Sequence, residues 1–414
     1  MGGISAAILS ETVLGEALSV QGPPGSIQEL LMPSTDQQQD IRSLARKFAR
    51  REIVPFAAEW DRLASFPREV VKRMGDVGLL GMTAPAEYGG AEADAVSLAI
   101  AVEEIARADA SCALVLSMAN SLAINALMKF GTEPQRDRWL RRITAGDCIA
   151  CFTISEPQAG SDPSAMKTRA VLKDGRYVIN GVKQFISLGS VSELAFVFAV
   201  TDPTLGTKGI SCFLIPTASK GFAVVRKEDK MGLRASDTCQ IGLDDVEVDI
   251  TQMLGGPGDG YRIALFALGA SRIGIAAQAT GVAAASLDDA AEYARGRETF
   301  GKLLIDHQAI AFKLADMAIE VQAARLMTRH AAQLKDANLP YATESSMAKV
   351  YAAEMCERVC SAAIQVFGGY GYMKDAAVER RYRDARVFQI YEGTSEVQRM
   401  IVARAIAKNS LQDT

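Results

Sequence analysis

The spacing of apolar residues changes twice along this chain, and a change of spacing marks a change of secondary structure. From Thr35 to about Ala150 they recur at three and four residues: Ile41, Leu44, Ala45, Phe48 and Ala49 make one such face, and Val70 to Leu80 another. Runs from Ala95 to Ala108 and from Cys112 to Phe130 extend the pattern, with a Pro- and Gly-rich break at Met82–Gly90. After Cys151 the apolar residues fall instead into short branched and aromatic runs: Tyr177–Asn180, Leu194–Val200, Ser211–Ile215 and Ala223–Val225. Asp174-Gly175 between two strands is a hairpin signal, and Pro203, Gly206, Gly209 and Lys220-Gly221 mark further turns. The helical spacing returns near Tyr261, in long segments expected at 261–295, 308–334, 342–367 and 395–408.

The expected architecture is α+β: an N-terminal all-helical domain (35–150), a central antiparallel β-barrel or sandwich domain (151–254) and a C-terminal four-helix-bundle domain (255–414). Residues 1–34, with Gly22-Pro23-Pro24-Gly25, read as an extension. A chain of 414 residues exceeds one hydrophobic core, so several packed units are needed. Gly255-Gly256-Pro257-Gly258-Asp259-Gly260 follows no parallel-strand pattern, so it reads as a flexible hinge rather than a dinucleotide fingerprint. Alanines 276, 277, 279, 283, 284 and 285 permit close helix approach, either within one chain or in an oligomer core.

A net charge of −4 without a long basic run favours neither nucleic acid nor an anionic membrane surface. No apolar run is expected to reach membrane-spanning length. The first basic residue is Arg42, so the start lacks a secretory or mitochondrial pattern, and Ala6 spoils a myristoylation signal at Met1-Gly2. The seven cysteines include one C-x-x-C spacing, Cys148-Ile149-Ala150-Cys151, with no histidine near it, and His307 and His330 are the only histidines. A histidine-based metal site or a Ser-His-Asp triad is therefore not expected, and a reducing, cytoplasmic setting is.

The candidate catalytic segment is Gln389 to Gln398. Ser395 can cap a helix, and Gln398 three residues on can complete a capping box. Glu392 then lies on the approach loop, and Gly393 lets the backbone bring that carboxylate close to a bound molecule. The same residues also read as a solvated acid in an ordinary capped turn. In the β unit, Ser155 to Asp162 can present backbone N–H groups to phosphate or form a plain loop. Gln184-Phe185-Ile186-Ser187 sets an aromatic beside a hydroxyl, where a flat heterocycle could stack.

Together these features resemble the acyl-CoA dehydrogenase family over residues 35 to 410. The motifs carrying the resemblance are Phe152-Thr153-Ile154-Ser155-Glu156-Pro157 with Ala159-Gly160-Ser161-Asp162, then Asn180 to Ser187, Arg297 to Lys302, Gln365 to Tyr372, and Ile390 to Ser395. The resemblance implies FAD, with Phe152, Ile154 and Ser155 along its isoalloxazine ring, Phe185 against the ring and Ser187 near N5. It assigns Arg297, Phe300, Gln308, Gln365 and Gly369 to the FAD of an adjacent protomer, and Thr394 and Glu396 to the near one. Arg272 and Ser161 would contact CoA, Ser161 alternatively the pyrophosphate, and Tyr391 and Gly393 would border the substrate.

Glu392 would remove the α-proton of an acyl-CoA while a β-hydride passes to flavin, giving a trans-2-enoyl-CoA. The position where some relatives carry this base holds Ser271 here. Ala113 stands where glutaryl-CoA relatives have an arginine, which disfavours a dicarboxylic substrate. The segment Val102–Leu122 most resembles the short-chain, butyryl-CoA type. Gly269, in place of an acid near CoA, and Phe185, in place of a tryptophan, depart from the usual pattern. A homotetramer passing electrons to an electron-transfer flavoprotein is implied. An oxidase or monooxygenase on the same fold, or a non-catalytic acyl-CoA or flavin binder, are the rival readings.

Overall fold

The computed structural model describes residues 35–408. The chain divides into two compact units, Met1–Asp40 and Ile41–Thr414. Of the first, residues 35–40 are described and begin helix α1 (Asp36–Phe48); the extension expected at 1–34 lies outside the described residues.

The helical part of the second unit continues with α2 (Ala57–Leu63), α3 (Arg68–Asp76), α4 (Ala95–Ala108) and α5 (Ala110–Ser117). A π-helical segment, Met118–Ile124, joins α5 to α6 (Asn125–Phe130), and α7 (Glu133–Thr144) comes next. The carboxylates of Asp94 and Asp109 cap α4 and α5 by accepting from the Ser97 and Cys112 amides, which is why two long apolar helices can succeed one another with so short a break.

Eight strands form one sheet: β1 (Ala150–Thr153), β2 (Arg169–Lys173), β3 (Arg176–Ser187), β4 (Leu194–Val200), β5 (Ile210–Pro216), β6 (Phe222–Lys227), β7 (Thr238–Asp249) and β8 (Met253–Leu254). Asp174 and Gly175 both take positive φ in the tight β2–β3 hairpin, where Lys173 pairs with Arg176. The expected antiparallel barrel or sandwich domain is present as a largely antiparallel β unit, with two details that refine it. The strand order β6-β7-β3-β2-β4-β5-β8 does not close, and β1 lies parallel to β4, as β2 does through one residue pair. The sheet instead folds over its own core, in which Ala195, Val197, Phe213 and Ile215 meet Ile179, Ile241, Val246 and Val248. The other face of β4 and β5, carrying Phe196, Phe198 and Leu214, packs on α6 and α7 residues such as Leu127, Leu140 and Ile143. Strands buried on both faces need no polar alternation, which explains their unbroken apolar runs.

The last part contains α8 (Gly260–Gly296), a short β9–β10 hairpin (Glu298–Thr299 and Lys302–Leu303), α9 (Gln308–Asp336), α10 (Ala342–Phe367), α11 (Ala377–Ala385) and α12 (Ser395–Ala407). Helix α8 is the axis, packed on α4, α9 and α10. Its alanines at 276, 277, 279, 283, 284 and 285 are buried within this single chain. A Cβ at Gly281 would come within 2.3 Å of the Glu103 carbonyl, so α8 and α4 touch through backbone. The expected hinge is a pinned turn: the Gly255, Gly256 and Gly258 amides donate to the Phe130 carbonyl, the Asp259 carboxylate and the Ser211 hydroxyl. Against expectation, Ala110–Phe130 and Gly260–Gly296 are long and apolar enough to span a membrane, but 83% and 78% of their apolar windows are buried inside the protein. They are core helices.

Candidate active site

The turn between α11 and α12 adopts an unusual backbone. Glu392 has φ 54° and Gly393 φ 89°, two successive left-handed residues. A side chain at Gly393 would also collide, its Cβ lying 2.6 Å from Nε2 of Gln398. The cap of α12 is Thr394 rather than Ser395: the Thr394 hydroxyl accepts from the Val397 amide, while Ser395 is the buried first residue of the helix. Gln398 does reach back, but it donates to the carbonyls of Glu392 (3.2 Å) and Gly393 (2.9 Å) instead of accepting an N–H. The capping threonine thus stands one residue before the serine that the Ser-x-x-Gln spacing suggests.

Around Glu392 the fold gathers side chains from α8, from α10 and from the turn itself. Ser271 of α8 donates from its hydroxyl to Oε2 of Glu392 at 2.6 Å. Next to it, Arg272 is buried and its Nε has no hydrogen-bond partner among the described residues. Lys349 of α10, fully buried, donates from Nζ to the Gly393 carbonyl at 2.6 Å. Tyr391 donates from its hydroxyl to Gln278 of α8 at 2.8 Å, and Gln278 in turn donates to the Ala110 carbonyl at the start of α5. The site is thereby tied to the N-terminal helices.

The electrostatics are those of a base in a low-polarity setting. Burial pushes the Glu392 carboxyl above the ordinary glutamate range, with the Ser271 hydrogen bond and the Lys349 and Arg272 charges opposing it. Burial likewise pulls the pKa of Arg272 down, against the pull of Glu392 and Tyr341. The Glu392 N–H donates to nothing among the described residues. A small cavity of about 10 Å³ lies beside this part of α8, lined by Ala270, Ile273 and Gly274 together with Leu98, Ser121 and Lys335.

Sequence-expected residues of the β unit gather at the end of β1. The Gln184 amide donates to the Ser155 carbonyl, which brings Phe152, Ile154 and Ser155 beside Phe185 and Ser187. Phe152 stacks on Phe196 at 4.4 Å and packs, like Tyr391, against the main helical core. A register shift between Lys183 and Ile186 turns Phe185 outward at φ 58° and 67% exposure. A large aromatic held outward on a strained backbone, beside the half-buried hydroxyls of Ser155 and Ser187, fits one end of a flat polar-edged ring system such as isoalloxazine.

Other expected residues lie elsewhere. Arg297, Phe300, Gln308, Gln365 and Gly369 are all exposed, Phe300 to 98%. Tyr293 stacks on Phe367 at 4.3 Å and so ties the segment bearing Arg297 and Phe300 to the helix end bearing Gln365 and Gly369. None of the five touches Glu392. Ser161 is exposed on its loop, and Glu396 is exposed on the first turn of α12. Sequence reasoning missed Lys349, Gln278 and Lys183. The available signal for Lys349 was a lone lysine in the stripe Ala352, Cys356, Val359 and Cys360 of an otherwise apolar helix face. Lys183 pairs with Glu156 at 2.9 Å, both side chains buried, inside two motifs read only for the cofactor. Among the described residues no group of three or more His, Cys, Asp and Glu is placed to hold a metal ion.

Comparison with known proteins agrees with this layout. The chain matches three domains described as the acyl-CoA dehydrogenase N-terminal domain (residues 35–147), middle domain (151–246) and C-terminal domain (258–407). It is 45% identical over 376 residues to the mitochondrial short-chain specific acyl-CoA dehydrogenase of Mus musculus, covering 91% of each chain. The structure of butyryl-CoA dehydrogenase from Megasphaera elsdenii superposes with a TM-score of 0.89 at 39% identity, covering 91% of this chain and 99% of that one. A glutaryl-CoA dehydrogenase from Mycobacterium smegmatis in complex with FADH2 gives a TM-score of 0.86 at 31% identity, covering 90% and 95%.

Proposed function

Because this chain belongs to the acyl-CoA dehydrogenase family and is of its short-chain type, we propose that it is an FAD-dependent dehydrogenase of short-chain, straight or branched, acyl-CoA thioesters. The observation that carries the reading is Glu392: a carboxylate with a raised pKa, steadied by Ser271 and flanked by the buried guanidinium of Arg272, whose Nε has no partner among the described residues.

Glu392 takes the α-proton of the thioester onto its carboxylate. Its raised basicity suits that task, since an α-proton is poorly acidic. The free N–H of Glu392 donates to the thioester carbonyl and stabilises the negative charge that grows there as the proton leaves. Arg272 and Ser161 hold the CoA portion, and Tyr391 and Gly393 border the acyl chain. Phe152, Ile154, Ser155, Phe185, Ser187, Thr394 and Glu396 of one protomer, with Arg297, Phe300, Gln308, Gln365 and Gly369 of its neighbour, would hold FAD, which when bound would supply the acceptor for the β-hydride. The product is the trans-2-enoyl-CoA, and the two electrons pass to an electron-transfer flavoprotein. Exposure of the second group of residues on one edge supports a homotetramer in which they face another copy. Arg297 is the cation a pyrophosphate requires.

Anaerobic titration of the purified protein with acyl-CoAs from C4 to C16 tests the reading. Bleaching of a flavin band, strongest with C4 or its branched isomers, is the expected result. A yellow protein that no thioester bleaches would remove the substrate assignment, and a protein unable to take up FAD would remove the dehydrogenase assignment.

A further inference from the structure

Lys349 neither binds the substrate nor takes its proton in the proposed chemistry, yet it is wholly buried. Its Nζ donates to the Gly393 carbonyl at 2.6 Å, and Nε2 of Gln398 shares that carbonyl and also holds the Glu392 carbonyl. These two side chains fasten both carbonyls of a turn whose residues are left-handed in succession, a conformation that needs outside support. Gln398 alone is a neutral donor able to satisfy such carbonyls. A buried ammonium among Ala348, Ala352, Ala353 and Cys356 brings a charge as well as a hydrogen bond, and the nearest use for that charge is the carboxylate one residue away.

We propose that Lys349 is a positioning residue for Glu392, fixing the Glu392–Gly393 turn and favouring the ionised form of the carboxylate that abstracts the proton. The inference rests on Glu392 being the base. The groups that face this pair are Ser271 and Arg272 from α8, Tyr391 from the turn itself, and Tyr341 beside Arg272; Glu354 of α10 and Glu396 of α12 act on Lys349. Burial lowers Lys349 to about 8, Glu392, Glu396 and Glu354 opposing and Arg272 adding to the fall. Lys349 is one of three groups that hold Glu392 down against burial, so its loss raises the carboxyl further.

Turnover requires ionised Glu392, so removing the cation moves the acidic limb of the kcat–pH profile to higher pH. In FAD-loaded protein turning over butyryl-CoA, Lys349→Met should move that limb by about one unit and lower kcat on the limb about tenfold, with KM changed no more than about twofold. Lys349→Arg, which keeps the charge, should recover most of the loss. A second readout is independent of turnover: the protonated-carboxyl infrared band of Glu392, isolated by subtracting the spectrum of Glu392→Gln, should persist to higher pH in Lys349→Met. An unchanged limb and band in folded Lys349→Met, or an arginine variant no better than the methionine one, overturns the proposal. Should Lys349→Met fail to fold, Lys349→Arg decides in its place: a limb and a Glu392 band that stay where the unaltered protein has them support the proposal, and a displaced limb and band overturn it. Glu392→Gln separates the two levels: if it still turns over, the assignment of the base fails; if it is inactive while Lys349→Met behaves normally, only the role of Lys349 fails.

Discussion

The hydroxyl of Ser271 donates to Oε2 of Glu392 at 2.6 Å, so the position at which some relatives are expected to carry the base here supports it. That bond is one of three influences lowering the carboxyl against burial. Ser271→Ala should therefore raise the pKa of Glu392 by about one unit, the worth of a hydrogen bond to a charged group. The acidic limb of kcat moves up, activity on that limb falls about tenfold, and activity above the shifted limb is nearly unchanged. A pH–rate profile checks this. An unmoved limb would mean that the base no longer takes this bond once substrate is in place.

Asp384 gives the protein a pH-dependent stability away from the site. Its buried carboxylate accepts from the Leu233 amide at 2.6 Å, and Asp109, Asp61 and Arg380 lie nearby. Burial first, then Asp109, raises it to about 7, against the Leu233 hydrogen bond and Arg380. A folded-state pKa above the unfolded value of about 3.9 means that the native state binds more protons in between. Stability contributed by this group is full below about pH 4 and is lost as pH rises through 7, a change on the order of 4 kcal/mol. Asp384→Asn keeps an oxygen acceptor for Leu233 and removes the titration. Its melting temperature should fall less than that of the unaltered protein as pH rises from about 5 to about 8; parallel curves would show that Asp384 does not titrate there.

The Glu156–Lys183 pair calls for a double-mutant cycle. Glu156 accepts from Lys183 at 2.9 Å and from the Lys167 and Thr168 amides, which pins the loop carrying Ser155 and Ser161 to β3. Burial would raise this carboxyl, but the Lys183 charge and these donors hold it at about 2. Lys183→Met strands a buried carboxylate and should cost about 3–5 kcal/mol, whereas the double variant Glu156→Gln with Lys183→Met should cost much less than the sum of the singles. Thermal or denaturant unfolding measures the cycle. Additive losses would mean that the two side chains act independently.

The residues most legible in the sequence were those whose pattern is local. The doubly buried strands β4 and β5 announced themselves as unbroken apolar runs, and Asp174-Gly175 named its own hairpin. Strand β7 was not singled out because Gln240, Gly242 and the Asp244-Asp245 pair interrupt its inward residues Cys239, Ile241 and Leu243. The sheet's failure to close depends on which strands pair at long range, and no local spacing encodes that. Around the site, Glu392 and Gly393 stood out because an acid before a glycine at a helix entry is a local signal. Lys349 and Gln278 approach from helices 43 and 114 residues away in sequence (392 − 349 and 392 − 278), and only packing reveals their partners. Thr394 displaced Ser395 as the cap because both are good capping residues and the left-handed turn ends at Gly393, which leaves Thr394 extended and Ser395 already helical.

Gly393 allows a test of the turn that is separate from the charge of the base. Its φ of 89° disfavours any L side chain, and a Cβ there would press on Nε2 of Gln398 at 2.6 Å. That amide is the flexible end of a side chain and can move, but moving it releases the Glu392 and Gly393 carbonyls it holds. Gly393→Ala should therefore destabilise the protein only modestly, by about 1–2 kcal/mol, while lowering kcat on the order of 100-fold, because a base displaced by an ångström loses most of its advantage. FAD content and melting temperature measure the first effect, and single-turnover flavin reduction by butyryl-CoA the second. If both fall together to the level of an unfolded protein, the turn is a folding element first; if neither moves, the left-handed backbone is not what aims the carboxylate.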